Sequence, residues 1–195
     1  GSLISVDVSS VYEQLKRELT IPIVTFPGGL NQISYSADGL LFLSLISGRN
    51  PELLIGNHVA AAPSLKRSGV EVISTGYILV DGGVVTSVQY MSNTVPVPAE
   101  KEDIAIATAI AGEFLGMKLI YLEAGSGALR PISSTMINGV KNAINVPLIV
   151  GGGITNGGKL AEAFQAGADI VVIGTAVERD PNLLEDMMIV LDRFR

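Results

Sequence analysis

Short apolar runs alternate along this chain with longer helical stretches. The runs are IPIVTF (21–26), LLFLSL (40–45), VEVISTGYILV (70–80), KLIYLEA (118–124), VPLIVGGG (146–153) and DIVVIGT (169–175). They are nearly continuous in Val, Ile and Leu. That pattern predicts strands covered on both faces, and such strands are parallel. Helices fill the gaps. SSVYEQLKREL carries Ser10 and Glu13 at capping-box spacing. Pro51 opens PELLIGNHVAAAP, where proline suits a first helical turn. KEDIAIATAIAGEFLG stops on Gly116 and NGGKLAEAFQAG on Gly167, each placed as a C-cap. PNLLEDMMIVLDRF closes the chain with basic residues in its last turn. One segment breaks the rhythm: VDGGVVTSVQYMSNTVPVP predicts a hairpin at Asp81-Gly82-Gly83, then a proline-rich loop.

Strand–helix alternation predicts an α/β fold with a parallel sheet, in one domain over residues 1–195. An open doubly wound sheet and a barrel both fit that order, and three features favour the barrel. Each strand ends in small or polar residues. No glycine fingerprint follows the first strand, where a dinucleotide fold would carry it. The last two runs end in GGG and GT, and barrels commonly bind phosphate after strands seven and eight. On that reading the chain holds strands three to eight of a (β/α)8 barrel and lacks the first two.

Composition narrows the chemistry. With 48% hydrophobic and 16% charged residues, the chain has ample material for one core. A net charge of −6 gives no basic field for nucleic acid or an anionic membrane, so an anionic ligand must be held by local groups. The absence of cysteine removes disulfides, thiolate metal sites and thiol catalysis, and fits a cytoplasmic location. The apolar runs fall short of the ~18–20 residues of a membrane span, and no signal-peptide pattern opens the chain.

The chemistry concentrates in YLEAGSG. Side chains alternate along a strand, so Tyr121 and Glu123 share a face and Leu122 takes the other. At the C-terminal end of a barrel strand, the first two point into the mouth. Gly125-Ser126-Gly127, Gly151-Gly152-Gly153 and Gly174-Thr175 leave backbone amides bare, the last two each just before a helix whose N-terminus suits phosphate. His58, the single histidine, reads as a structural residue inside a helix. Arg49 and Asn50 either meet a diphosphate or cap the next helix. Arg130 is either a phosphate neighbour or a surface charge. Pro27 to Ser34 either lines a pocket or makes a turn.

Together, YLEAGSG, VGGGIT, IGTAVE, FPGGLNQIS and LISGRNPELLIGNH resemble the geranylgeranylglyceryl phosphate synthase family across essentially the whole chain. The resemblance implies a (β/α)8 barrel that alkylates sn-glycerol 1-phosphate with geranylgeranyl diphosphate, using Mg²⁺, in a homo-oligomer. It implies that Tyr121, Leu122, Glu123, Ala124, Gly125, Ser126 and Gly127 hold glycerol 1-phosphate together with Gly152, Gly153, Gly174 and Thr175. Glu123 is the candidate for orienting the glycerol hydroxyl and taking its proton. The family's metal site uses an aspartate after strand one, which has no counterpart here, and a serine or threonine after strand two. Ser2 is that second ligand, or Gly1-Ser2 is an appended dipeptide; Leu3, continuing the pattern, favours the ligand. The glycine turns alone would also fit an FMN-dependent or thiamine-phosphate-synthase-like barrel, or a phosphate-binding fragment without turnover.

Overall fold

The computed structural model describes residues 8–194. In chain order it contains α1 (Val8–Glu18), β1 (Val24–Thr25), a 3-10 turn (Leu30–Gln32), β2 (Gly39–Leu45) and a π-helical turn (Glu52–Gly56) running into α2 (Asn57–Ser68). There follow β3 (Glu71–Leu79), α3 (Ser87–Ser92), α4 (Glu102–Phe114), β4 (Leu119–Glu123) and α5 (Ser134–Ala143). The last elements are β5 (Leu148–Gly151), α6 (Gly157–Gln165), β6 (Ile170–Val172), α7 (Thr175–Arg179) and α8 (Leu183–Leu191). The strands form one sheet in the order β1-β2-β3-β4-β5-β6, and every pair is parallel. Sequential parallel order curls the sheet one way, and the result is a half-barrel.

Strand alternation splits the apolar residues into two layers. Leu41, Leu45, Tyr77, Leu79, Tyr121 and Ile149 cluster on the inner face. Ile78, Ile120, Leu122, Leu148 and Val150 pack on the other face with Ala105, Ala109, Met136, Ile137 and Leu160 of α4, α5 and α6. All six predicted strands form, but β1 shrinks to two residues. Pro22 and Pro27 flank it, and a proline has no N–H to add to a ladder. No α-helix crosses from β1 to β2; the short 3-10 turn takes its place. Phe42, on the outer face of β2, is therefore only half-buried.

Several local expectations need correction. Asp81-Gly82-Gly83 makes no hairpin. Asp81 Oδ1 accepts the Gly83 N–H at 2.8 Å, and Thr86 Oγ1 accepts the Gln89 N–H at 3.4 Å, capping α3. The chain then returns beside β3 as a parallel Val80–Val97 bridge. The helical stretch begins at Pro51 as expected, with the π-helical turn leading into α2, but α2 runs through Pro63 to Ser68, where Gly69 (φ 77°) ends it. Ser10 and Glu13 lie inside α1 and cannot form a box at its start. Helix α8 ends before Arg193, so no basic residue sits in its last turn. Helix α5 was not anticipated; Ser133 caps it by accepting the Met136 N–H at 3.2 Å. Gly116 (φ 84°) and Gly167 (φ 111°) follow α4 and α6 in the left-handed region, as predicted. Among the described residues, no helix is long and apolar enough to cross a membrane.

Candidate functional site

The C-terminal ends of β4 and β5 bring the opening residues together. Tyr121 is 1% exposed and Glu123 7%, both on the inner face, while Leu122 is fully buried among the helix-facing residues. A Cβ added to Gly151 would lie 2.6 Å from both Glu123 Oε2 and the Tyr121 hydroxyl oxygen. The two side chains therefore converge over that glycine. The Tyr121 hydroxyl donates to the Glu123 carboxylate, and the Gly125 N–H donates to Glu123 Oε1 at 2.7 Å. Burial raises the Glu123 pKa above the ordinary carboxyl value, against the pull of those two hydrogen bonds. Burial, and after it the adjacent Glu123 charge, also raise the Tyr121 and Tyr77 phenols above their ordinary value. Tyr77 and Tyr121 rings lie 5.2 Å apart, with Phe26 5.6 Å from Tyr121, so an aromatic wall stands below the carboxyl.

Three glycine turns surround this pair. Ser126 Oγ and Thr175 Oγ1 are 3.0 Å apart, which joins the turn after β4 to the turn after β6. Gly152 (φ 84°) packs so closely that a Cβ would sit 2.6 Å from Glu123 Oε1 and 2.7 Å from the Gly125 nitrogen. Only glycine fits there, on both conformation and space. Among the described residues, the amides of Ser126, Gly127, Gly152 and Gly153 have no hydrogen-bond acceptor. The Gly125 amide, expected to be bare, is taken by Glu123. The helix termini also fall elsewhere than expected. Ser133 caps α5 and Asn156 caps α6, several residues past their turns, and only Gly174 directly precedes a helix, α7, of five residues. The bare donors are thus turn amides, with little contribution from helix dipoles.

These groups line one cavity of about 1160 Å³. Its polar end holds Glu123, Gly125, Ser126, Gly127, Gly152, Gly153, Gly174 and Thr175. Its apolar arm is lined by Phe26, Leu30, Ile33, Phe42, Leu53 and Met91, beside the position where a β1–β2 crossover helix is lacking. The PGGLNQIS segment therefore lines a pocket. Leu122 and Ala124 do not reach the cavity: both side chains belong to the helix-facing core. Two cavity cations, Lys159 and Arg179, escaped the sequence reading. The lysine of NGGK, one turn past the glycine turn, was the available signal.

The remaining candidates have protein partners of their own. His58 Nε2 lies 3.0 Å from Ser44 Oγ and its ring stands edge-on to Phe42 at 4.5 Å. Burial lowers its pKa, so the ring is a neutral wall element. Asn50 Oδ1 accepts the Glu52 N–H at 3.0 Å, starting the next helix. Arg49 folds back on the Gly48 carbonyl at 2.7 Å. Arg130 pairs with Asp81 at 3.6 Å on the surface. Ser2 lies outside the described residues. Among those described, no group of three or more His, Cys, Asp or Glu could hold a metal ion.

A sequential parallel sheet with a buried carboxyl and glycine turns at its C-terminal edge defines an α/β enzyme built on a half-barrel, with its chemistry at that edge. Residues 1–192 match the sequence profile of the PcrB family, and the chain belongs to that family. Among curated relatives, a geranylgeranylglyceryl phosphate synthase of Chitinophaga pinensis is 52% identical over 96% of this chain and 75% of its own length. That of Pyrococcus abyssi is 42% identical over 91% of this chain and 70% of its own. Among solved structures, (S)-3-O-geranylgeranylglyceryl phosphate synthase from Thermoplasma acidophilum, in complex with substrate sn-glycerol-1-phosphate, superimposes with a TM-score of 0.90 at 30% identity, covering 98% of this chain and 76% of that one. The chain thus spans about three-quarters of these relatives.

Proposed function

We propose that this protein joins sn-glycerol 1-phosphate to geranylgeranyl diphosphate through an ether bond and releases diphosphate. The observation that carries the reading is one cavity with two chemically opposite ends. Unbonded turn amides and a buried carboxyl stand at one end, and an apolar arm leads away from the other. The turns of Ser126–Gly127, Gly152–Gly153 and Gly174–Thr175 hold the phosphate. The apolar arm holds the prenyl tail, whose burial contributes about 25 cal/mol per Å².

The glycerol hydroxyl oxygen forms a bond to the allylic carbon as the carbon–diphosphate bond breaks, and its proton passes to Glu123. A raised pKa makes that carboxylate a stronger base than an exposed one. The Tyr121 hydroxyl and the Gly125 amide fix its orientation. The rings of Phe26, Tyr77 and Tyr121 keep water from the electron-poor carbon. Magnesium, which the resemblance implies, would neutralise the departing diphosphate. The described residues offer no group of three or more His, Cys, Asp or Glu that would hold it.

In the same reading, the half-barrel is strands three to eight of a (β/α)8 barrel. Its exposed edge residues Val24, Ile170 and Val172 support that. The exposed Ile104, Phe114 and Leu115 of α4 and its C-cap support a homo-oligomer, and a cytoplasmic location accords with the lack of cysteine. The test is direct. Purified protein given both substrates with Mg²⁺ should release one diphosphate per organic-extractable lipid phosphate formed. Diphosphate release without any ether-linked product would overturn the assignment.

A further inference from the structure

We infer that Lys159 is a positioning residue of the anion site: its ammonium locks the Gly152–Gly153 turn and supplies the positive charge that the phosphate dianion meets. The inference rests on the functional reading above and deepens it. Lys159 stands in the first turn of α6 and is half-buried. Its Nζ donates to the Gly153 carbonyl at 3.1 Å and to Thr155 Oγ1 at 3.2 Å. An ammonium has three N–H donors. Two are accounted for, and the third has no partner among the described residues. Lys159 makes no ion pair there either, although other lysines of the chain do.

The geometry gives the side chain two tasks. Holding the Gly153 carbonyl fixes a turn at φ 84° and 71°, a conformation glycine alone would leave loose. The amides of that turn have no other acceptor and line the cavity with Lys159 itself. The charge matters because the chain carries a net −6, so a dianion gains nothing from the overall field. Apart from Lys159, the only formal cation lining the cavity among the described residues is Arg179, which is exposed. Charge-assisted hydrogen bonds are about twice as strong as neutral ones, so one ammonium can dominate a cradle of amides.

The test measures sn-glycerol 1-phosphate binding by calorimetry and steady-state rates for the wild type, Lys159→Met, Lys159→Gln and Lys159→Arg. The Met variant should bind at least ~10-fold more weakly, with KM for glycerol phosphate rising and kcat holding within about threefold. Its affinity should also depend less on salt than that of the wild type. Arg should restore most of the loss. Gln retains a donor for the Gly153 carbonyl without the charge and should fall between, and it serves alone if the Met variant folds poorly. Unchanged affinity in a folded Met or Gln variant overturns the inference while leaving the functional reading intact. So does an equal rise in KM for both substrates with a lowered Tm, which is the mark of a merely structural lysine. A wild type that binds no sn-glycerol 1-phosphate overturns the functional reading and this inference with it.

Discussion

The two ends of the cavity are built on opposite principles. At the β4–β6 end, the groups aimed at a ligand are mostly backbone, fixed by positive-φ glycines and by a carboxyl that ties up one amide. At the β1–β2 end the lining is apolar side chain, and space comes from an omission: no α-helix crosses from β1 to β2. The difference follows from the ligands. A phosphate needs directed donors at set distances, and backbone amides cannot rotate away from it. A prenyl tail needs only dry surface, which is non-directional. The backbone and the carboxyl of the polar end should therefore tolerate almost no change, and the apolar end a good deal.

The largest effect should come from Glu123→Gln. Turnover should fall by about 10²–10⁴-fold, while sn-glycerol 1-phosphate affinity changes far less. The fold should not suffer. Because burial raises the Glu123 pKa, the stability this group contributes is full below its unfolded pKa and is lost as pH rises through the folded one. The Gln variant should thus match or exceed the wild type in Tm at pH 8 and lose that advantage near pH 4. Turnover of the wild type should fall on acidification around a pKa above the ordinary glutamate value. A Tm that collapses in the Gln variant at pH 8 would place the carboxyl in the architecture instead of the chemistry.

Next comes Gly152→Ala. The added Cβ would press on Glu123 Oε1 and the Gly125 nitrogen at a φ of 84°, where non-glycine strain is about 1–3 kcal/mol. Binding of sn-glycerol 1-phosphate should weaken ~100-fold, alongside a lowered Tm. The apolar arm should respond in a different currency. Leu30→Asp, at a residue 42% exposed and so tolerable to folding, should raise KM for the prenyl diphosphate by roughly tenfold through carboxylate desolvation. Glycerol phosphate binding should stay as it was; a joint change would merge the two ends into one site. The smallest effect should be that of Ser126→Ala, which cuts the 3.0 Å link to Thr175. Loss of one partly exposed hydrogen bond costs about 0.5–1.5 kcal/mol, so a three- to tenfold rise in KM for glycerol phosphate is expected.

The strands were legible as continuous apolar runs, and the inner-face placement of Tyr121 and Glu123 because a period of two survives any packing arrangement. Helix ends marked by Gly116 and Gly167 were legible for a similarly local reason. The Asp81 segment misled because an aspartate followed by two glycines suits a hairpin and an Asx turn equally. The choice fell to contacts with Glu123 and Val97, distant in sequence. Lys159 was passed over because a lysine in a first helical turn looks like any solvated cation until its ammonium is found on the Gly153 carbonyl.

Sequence alone determined what propensity and periodicity encode: six parallel strands, several of the helices between them, and a tyrosine–glutamate pair on one face. Only the tertiary structure decided which amides stay free, which one Glu123 takes, and that Ser126 reaches Thr175 across forty-nine residues of chain. It also opened an apolar arm where the β1–β2 crossover forms only a 3-10 turn. The reason is physical: a hydrogen bond or a void depends on atoms from several strands at once, and no single segment carries that information.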